Sequence, residues 1–252
     1  MIYLDMRNPV SIPYLLEREF PAEQIETLLV QEAVRPGDLA VDIGANVGWY
    51  TSLLCHSIGQ TGQVHAFEPN PFLVRLLGSL SQEYPNLTVH AVALGDKDAE
   101  TVFIPDNWIS GSCKSGDDSA KRFRVRMARL DDVLPGRPDF VKLDAEGAEL
   151  AVLSGAQAIL DAQDAPIWMV ELSTEEAKPF GHDVSEVVDR FIGARRAEYS
   201  AYRIDPDEAS LIPLKLPSSK DFWINAVFVP ALRRDRIPSH WLAEEASADR
   251  PR

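Results

Sequence analysis

Apolar residues recur along this chain with two alternating periods. After Pro21, the positions Ile25, Leu28, Leu29 and Ala33 keep a helical stripe that Pro36 and Gly37 stop. Leu39 to Ile43 reads as a buried strand, and Val47, Tyr50, Leu54 and Ile58 then set one face of a helix. Val64 to Phe67 predicts a second strand, Asn70 to about Gln82 a helix with Leu73, Leu76, Leu77 and Leu80 in register, and Leu87 to Leu94 a third strand. Phe140 to Leu143 continues as a fourth strand, Ala148 to about Ala162 as a helix and Ile167 to Leu172 as a fifth strand. Val184, Val187, Val188, Phe191 and Ile192 mark another amphipathic helix. The run at 221–229 reads as a late strand which, with no helix before it, would run antiparallel. Such alternation from residue 21 to about 229 implies βα units and a largely parallel sheet in one α/β domain.

Two regions break the rhythm. Between Ala99 and Met127, the strand-like runs ETVFI and FRVRM flank a long polar loop, and its part at 105–120, which carries Trp108, reads as a lid over an acceptor. Residues 231–252 are polar, carry no apolar stripe and read as a tail. Residues 1–34 form an N-terminal segment and helix packing on the core, and 35–230 the main domain.

Composition narrows the function classes. With 252 residues and 45% hydrophobic content the chain can build a sizeable core, while a formal charge of −14 argues against a nucleic-acid partner. The one basic run, Lys121 to Arg126, alternates in the manner of a solvated strand edge. Two cysteines, Cys55 and Cys113, make neither a disulfide framework nor a Cys-rich metal site, which points to a reducing, cytoplasmic setting. No basic stretch precedes the apolar residues of MIYLDMRNPVSIPYLL and no window has the apolar length of a membrane span, so neither a leader nor a membrane partner is expected.

In an open parallel sheet, ligands bind beyond the carboxyl ends of the strands. The first such loop is Asp42-Ile43-Gly44-Ala45-Asn46-Val47-Gly48, whose glycines allow a tight turn and whose helix start offers free N–H groups. The second is Phe67-Glu68-Pro69-Asn70, where a carboxylate ending strand two is placed to accept hydrogen bonds from ribose hydroxyls. A dinucleotide fold wants G-x-G-x-x-G, but this chain has D-x-G-x-N-x-G, with Asn46 where the second glycine would be.

VDIGANVGWY, HAFEPNP (65–71), AVALGD (91–96), RLDDVL (129–134) and VKLDAEGAELAVLSGA (141–156) occur in that order. Together they make the chain resemble class I S-adenosylmethionine-dependent methyltransferases, and within them the FkbM family, over roughly residues 30 to 173. The resemblance implies a Rossmann-like, seven-stranded, mostly parallel sheet with an antiparallel last strand and helices on both faces. It also implies S-adenosyl-L-methionine as cofactor and methyl transfer, usually to a hydroxyl. Carried over by position, Gly44, Ala45, Asn46 and Gly48 would line the methionine part, Glu68 would hold the ribose and Ala93, Leu94 and Gly95 would meet the adenine edge, with Asp42, Pro69 and Asn70 also among the cofactor-binding residues.

An alcohol acceptor needs alignment and help losing its proton. Asp144 at the end of strand four is the best-placed group, with Lys142 at the same strand parity and Glu146 opening the next helix. Glu171 ends strand five, and with Asp144 it could ligate Mg²⁺; the alternatives are general-base work without metal and a purely structural role. His182, in KPFGHDV, is a further proton-acceptor candidate, whereas His56 and His65 read as structural. The expected activity is O-methylation of a hydroxylated metabolite, a sugar or a product of secondary metabolism. An N-methyltransferase, a nicotinamide-dependent oxidoreductase and a non-catalytic cofactor-binding module are the rivals. Expected partners are a small-molecule acceptor and, in a homo-oligomer, further copies of the chain.

Overall fold

The computed structural model describes residues 24–105, 111–113, 122–194, 196–205, 207–219 and 221–242. Helix α1 (Gln24–Ala33) buries Leu29, Val30 and Ala33 against the sheet; of the stripe read from the sequence, Ile25 is partly buried and Leu28 is exposed, and Val30 joins the core instead. Strand β1 (Leu39–Ile43), α2 (Trp49–Ile58), β2 (Gln63–Phe67), α3 (Pro71–Glu83) and β3 (Leu87–His90) follow as two βα units and a strand. Asn70 caps α3 by accepting from the Phe72 amide, and Pro71 occupies the first turn, where its missing N–H costs nothing.

The strand expected over Leu87–Leu94 divides. Its pairing with β2 stops at Phe67–His90, because β2 ends there, and β4 (Ala93–Leu94) turns away into a second sheet. That sheet is completed by β5 (Ala99–Pro105), β6 (Gly111–Ser112) and β7 (Phe123–Ala128), in the order β4-β7-β5-β6. The two strand-like runs flanking the polar loop are thus an antiparallel pair. Most of the region read as a lid, residues 106–110 with Trp108 and 114–120, lies outside the described residues.

After α4 (Leu130–Val133) and β8 (Phe140–Leu143), the helix expected over Ala148–Ala162 is broken into α5 (Glu149–Ser154) and α6 (Gln157–Leu160). Gly155 sits at the break, packed so closely that a Cβ there would lie 2.0 Å from the Gly95 carbonyl oxygen. Asp131 holds the new start, accepting from the amides of Ala158 and Ile159. Strand β9 (Ile167–Ser173), α7 (Thr174–Ala177), α8 (Val184–Ile192), β10 (Tyr199–Asp205), β11 (Ser210–Pro213) and β12 (Trp223–Pro230) follow, the last succeeded by two short 3₁₀ helices, Ala231–Arg236 and Ser239–Trp241.

The main sheet runs β11-β10-β12-β9-β8-β1-β2-β3. Strands β3, β2, β1, β8 and β9 are parallel, and β12 is antiparallel to both β9 and β10. The seven expected strands are present with the reversed late strand, and β11 adds an eighth at the edge. Met169 and Val227 pack under α1 and α2 on one face, meeting Leu54 of α2, and Val141, Trp168 and Phe228 pack under α5 and α8 on the other, meeting Phe191 of α8. Among the described residues no helix is long and apolar enough to cross a membrane.

Residues 231–242 do not behave as a tail. Ile237 and Trp241 are buried, the Trp241 indole N–H donates to Glu32 at 2.9 Å, and Arg236 pairs with Asp38 and Asp139. Arg233 donates to Asp139 at 2.6 Å and to the Ala165 carbonyl at 2.7 Å. The anchors sit on or beside two short 3₁₀ helices, too short to leave an apolar stripe to read. Residues 243–252 lie outside the described residues.

Candidate active site

The loop after β1 turns at Gly44 (φ +76°), whose amide donates to the Phe67 carbonyl at 3.0 Å. A Cβ on Gly44 would stand 1.7 Å from the Asp144 carbonyl oxygen, so this glycine lets the ends of β1 and β8 meet. Asn46 follows in the left-handed region (φ +51°), an unusual conformation for a residue with a side chain and one often found at ligand-binding loops. These loops open on a cleft of about 240 Å³ at the carboxyl rim of the sheet.

One end of the cleft is mostly apolar, formed by Phe67, Val92, Ala93, Leu94 and Phe103 with Pro69 and Cys113. Glu68 stands at its edge, only 4% exposed. Its two carboxylate oxygens accept from the backbone amides of Asn46 at 2.9 Å and Asn70 at 2.8 Å, which fixes the carboxylate and leaves each oxygen a second lone pair. Burial pushes its pKa up to about 7 against the pull of those two bonds.

The other end carries Asp144, Glu146, Glu171 and Glu176. Lys142, 2% exposed on β8, reaches Asp144 at 3.5 Å and lies 5.4 Å from the centre of the Tyr50 ring. Glu146 adopts φ +49°. Burial, then the neighbouring Asp144 charge, raises the proton affinity of Glu171 well above that of an ordinary carboxylate.

The cleft thus gathers Gly44, Asn46, Glu68, Pro69, Ala93, Leu94, Asp144, Glu146 and Glu171 from the sequence-based set. Other members sit behind the wall. Asp42 faces α2, where the Thr51 hydroxyl donates to it at 2.5 Å, and burial lifts its pKa to about 6. Ala45 is in the core, Gly48 starts α2 against Leu77 and Leu80, and Asn70 is the α3 cap. Gly95 abuts the Met127 side chain and the Gly155 backbone. Lys142 is a partner of Asp144 rather than a lining group. His182 belongs to a separate groove beyond Gly147, with Leu150, Phe180 and Arg190, so the acceptor role expected of it does not fit its place. For the Mg²⁺ reading at Asp144 and Glu171, no group of three or more His, Cys, Asp or Glu side chains that could hold a metal ion is found among the described residues.

Residues without a sequence-based role also shape the site. Glu149, 5% exposed, accepts from the amides of Ala145 at 2.9 Å and Gly147 at 3.2 Å, and so ties down the loop bearing Asp144. An acid two residues past Gly147 was the available signal. Glu176 is set by the Ser173 cap, an S-x-x-E spacing legible in the chain. Cys113 and Phe103 reach the cleft only through the second sheet, which the sequence does not place.

Burial pushes the Glu149 pKa up to about 7. The folded state therefore holds a proton on Glu149 over a range in which the unfolded chain has lost it. Stability from this group is present below about pH 4.5 and is lost as pH rises through about 7. Glu149→Gln keeps an oxygen for both amides and removes the titration. The variant's unfolding free energy should gain on wild type by roughly 1.4 kcal/mol per pH unit across that window and hold level above it. Reading the difference removes the opposite contribution of His65 and His90, whose pKa values burial lowers. Parallel urea-midpoint curves for the two proteins would contradict the assignment.

Residues 42–201 match the family model described as the methyltransferase FkbM domain. No curated protein matches the chain. Among solved structures it is similar to the methyltransferase FkbM from Methylobacillus flagellatus, with 18% identity and a TM-score of 0.51 over 76% of this chain. The match takes in 43% of that protein's length. A putative rRNA methylase from Clostridium thermocellum matches with 12% identity and a TM-score of 0.50, over 81% of this chain and 95% of that one. At such identities the two structures speak for the fold.

Proposed function

Because the chain belongs to the FkbM methyltransferase family, we propose that it moves the methyl group of S-adenosylmethionine to a hydroxyl of a small metabolite, a sugar or natural-product alcohol. The observation that carries this reading is Glu68: a buried carboxylate with both oxygens anchored and a lone pair spare on each, at the edge of an apolar slot. That pair of acceptors fits the hydroxyls of a ribose diol beside an adenine. The Asn46 side-chain oxygen, buried without a partner, fits a donor group on the methionine part.

When bound, the cofactor supplies an electrophilic methyl group on a sulfonium. Glu68 would hold the ribose, Val92, Leu94 and Phe103 would enclose the adenine and keep water from it, and Gly44 and Asn46 would line the methionine part. At the other end, Lys142 orients the Asp144 carboxylate. The Asp144–Glu171 pair takes the acceptor's hydroxyl proton, and the raised proton affinity of Glu171 suits it to receive one.

Calorimetry with S-adenosylhomocysteine tests the cofactor half. Binding should be weakened by about 1.5 to 3 kcal/mol in Glu68→Ala, the range for a hydrogen bond involving a charged group. NAD should give no heat with either protein. Unchanged affinity in a variant with a native thermal transition would remove Glu68 from the site, and mass analysis of the product would place the methyl on oxygen or nitrogen.

A further inference from the structure

Asp42, expected from the sequence among the cofactor residues, lies behind the cleft wall, and its surroundings give it a different task. It is 2% exposed on β1 and pairs in register with Lys142 of β8, which is equally buried. Register neighbours on adjacent strands stand side by side on one face, about 4.8 Å apart. Asp144, two residues beyond Lys142, follows on that same face. The lysine therefore stands between two carboxylates.

The geometry on both sides of the ammonium is that of a divided charge. Lys142 reaches Asp144 at 3.5 Å, where an undivided ammonium–carboxylate bond closes to about 2.8 Å. On the other side the fully buried Thr51 hydroxyl donates to Asp42 at 2.5 Å and fixes its carboxylate in place. Burial lifts the Asp42 pKa to about 6, the Thr51 bond and then the Lys142 charge pull it back, and the Asp144 charge pushes with burial. Two further ionisable groups feel Asp42. The Cys55 thiol on α2 is driven up to about 12 by burial and then by the Asp42 charge, and Glu68 is raised by burial first and by Asp42 after its backbone bonds. Neither brings the positive charge that a buried carboxylate requires, whereas Lys142 does.

Resting on the methyl-transfer reading above, we propose that Asp42 is a positioning residue: it shares the Lys142 ammonium with Asp144 and so keeps that ammonium from closing on the carboxylate that faces the acceptor. Undivided, the ammonium would neutralise Asp144 and occupy the oxygen it now approaches. Held back, it orients Asp144 and leaves the carboxylate open to a hydroxyl. Removing the Asp42 charge, by substitution or by acid, would release the ammonium to Asp144.

The test uses full-length protein, isotope-labelled at the side-chain carboxyl carbon of aspartate and the side-chain nitrogen of lysine, and followed by NMR over pH. The Asp42 resonance is the one that Asp42→Asn removes, and its titration midpoint reads the division of charge. Lys142→Met should raise that midpoint by about 1 to 3 pH units, the effect of losing a nearby opposite charge. Asp144→Asn should lower it by a smaller amount, because the ammonium then turns wholly to Asp42. In the unaltered protein, where folding is not in question, the Lys142 nitrogen resonance should shift with the same midpoint as Asp42. A midpoint indifferent to either replacement, or a Lys142 resonance flat through that range, would overturn the sharing. Calorimetry with S-adenosylhomocysteine on the wild-type sample keeps the two readings apart. Normal binding with an uncoupled titration removes the sharing alone, while coupled titration without binding overturns the methyl-transfer reading and, with it, the role of Asp42 in it.

Discussion

Gly44→Ala should abolish measurable S-adenosylhomocysteine binding and destabilise the fold by on the order of 3 kcal/mol. Two costs add. An L-residue held at φ +76° costs roughly 1 to 2 kcal/mol, and forcing a methyl into filled space typically costs about 1 to 3 kcal/mol more. The obstacle is the Asp144 carbonyl oxygen, 1.7 Å from the new Cβ, and it is backbone one residue past the parallel pairing of β1 and β8, held there by the Asp144 amide's bond to the Ile43 carbonyl. Relief therefore requires the two strand ends to part, which carries Asn46 and Glu68 away from Asp144. Gly181→Ala is the control, since Gly181 has the same φ of +76° with open space around it and should show the backbone cost alone. Calorimetry and thermal unfolding on both variants give the comparison. If Gly44→Ala resembles Gly181→Ala in both measurements, the close approach does not govern the site.

Asp144→Asn and Glu171→Gln should each cut turnover by about 10²- to 10⁴-fold, the span for losing a positioned proton acceptor. Both replacements keep size and lose the ability to accept the proton. Neither residue touches the apolar slot or Glu68's anchoring bonds, so S-adenosylhomocysteine affinity should stay close to wild type. Single-turnover rates with labelled cofactor, beside calorimetry, separate the effects. Retained turnover would remove the pair from proton transfer, and a parallel loss of affinity would make these residues cofactor-positioning groups instead.

What the sequence disclosed was local. The turn through Gly44 and Asn46, the carboxylate at Glu68 and the acid at Asp144 each follow a strand, and their chemistry is carried by a few adjacent residues. What it withheld depends on distant partners. Nothing near Leu87–Leu94 announces that β2 ends at Phe67 and sends Ala93 and Leu94 to β7. The helix break at Gly155 needs Asp131 from another segment to hold the new start. Strand parity put Lys142 and Asp144 together but did not tell that the lysine would be sealed behind the aspartate. His182 lies in the expected loop order, but the chain carries it past Gly147 into a neighbouring groove.

The ion cluster under the sheet bears on how the chain is made. Asp38 precedes β1 and Asp139 precedes β8, so these acids stand at the opposite ends of the two strands whose carboxyl ends build the site. Their cationic partners, Arg233 and Arg236, follow the last strand. During synthesis Asp38 waits for 198 further residues before the counter-charge of Arg236 exists. The central strands can pair earlier, but the floor beneath them is closed by residues that follow β12. Translation halted just before Arg233 would leave a sheet whose two central strands start on acids without their arginines, together with the bare apolar surface that Ile237 and Trp241 cover, so an incomplete product would carry a charged and an apolar defect at once.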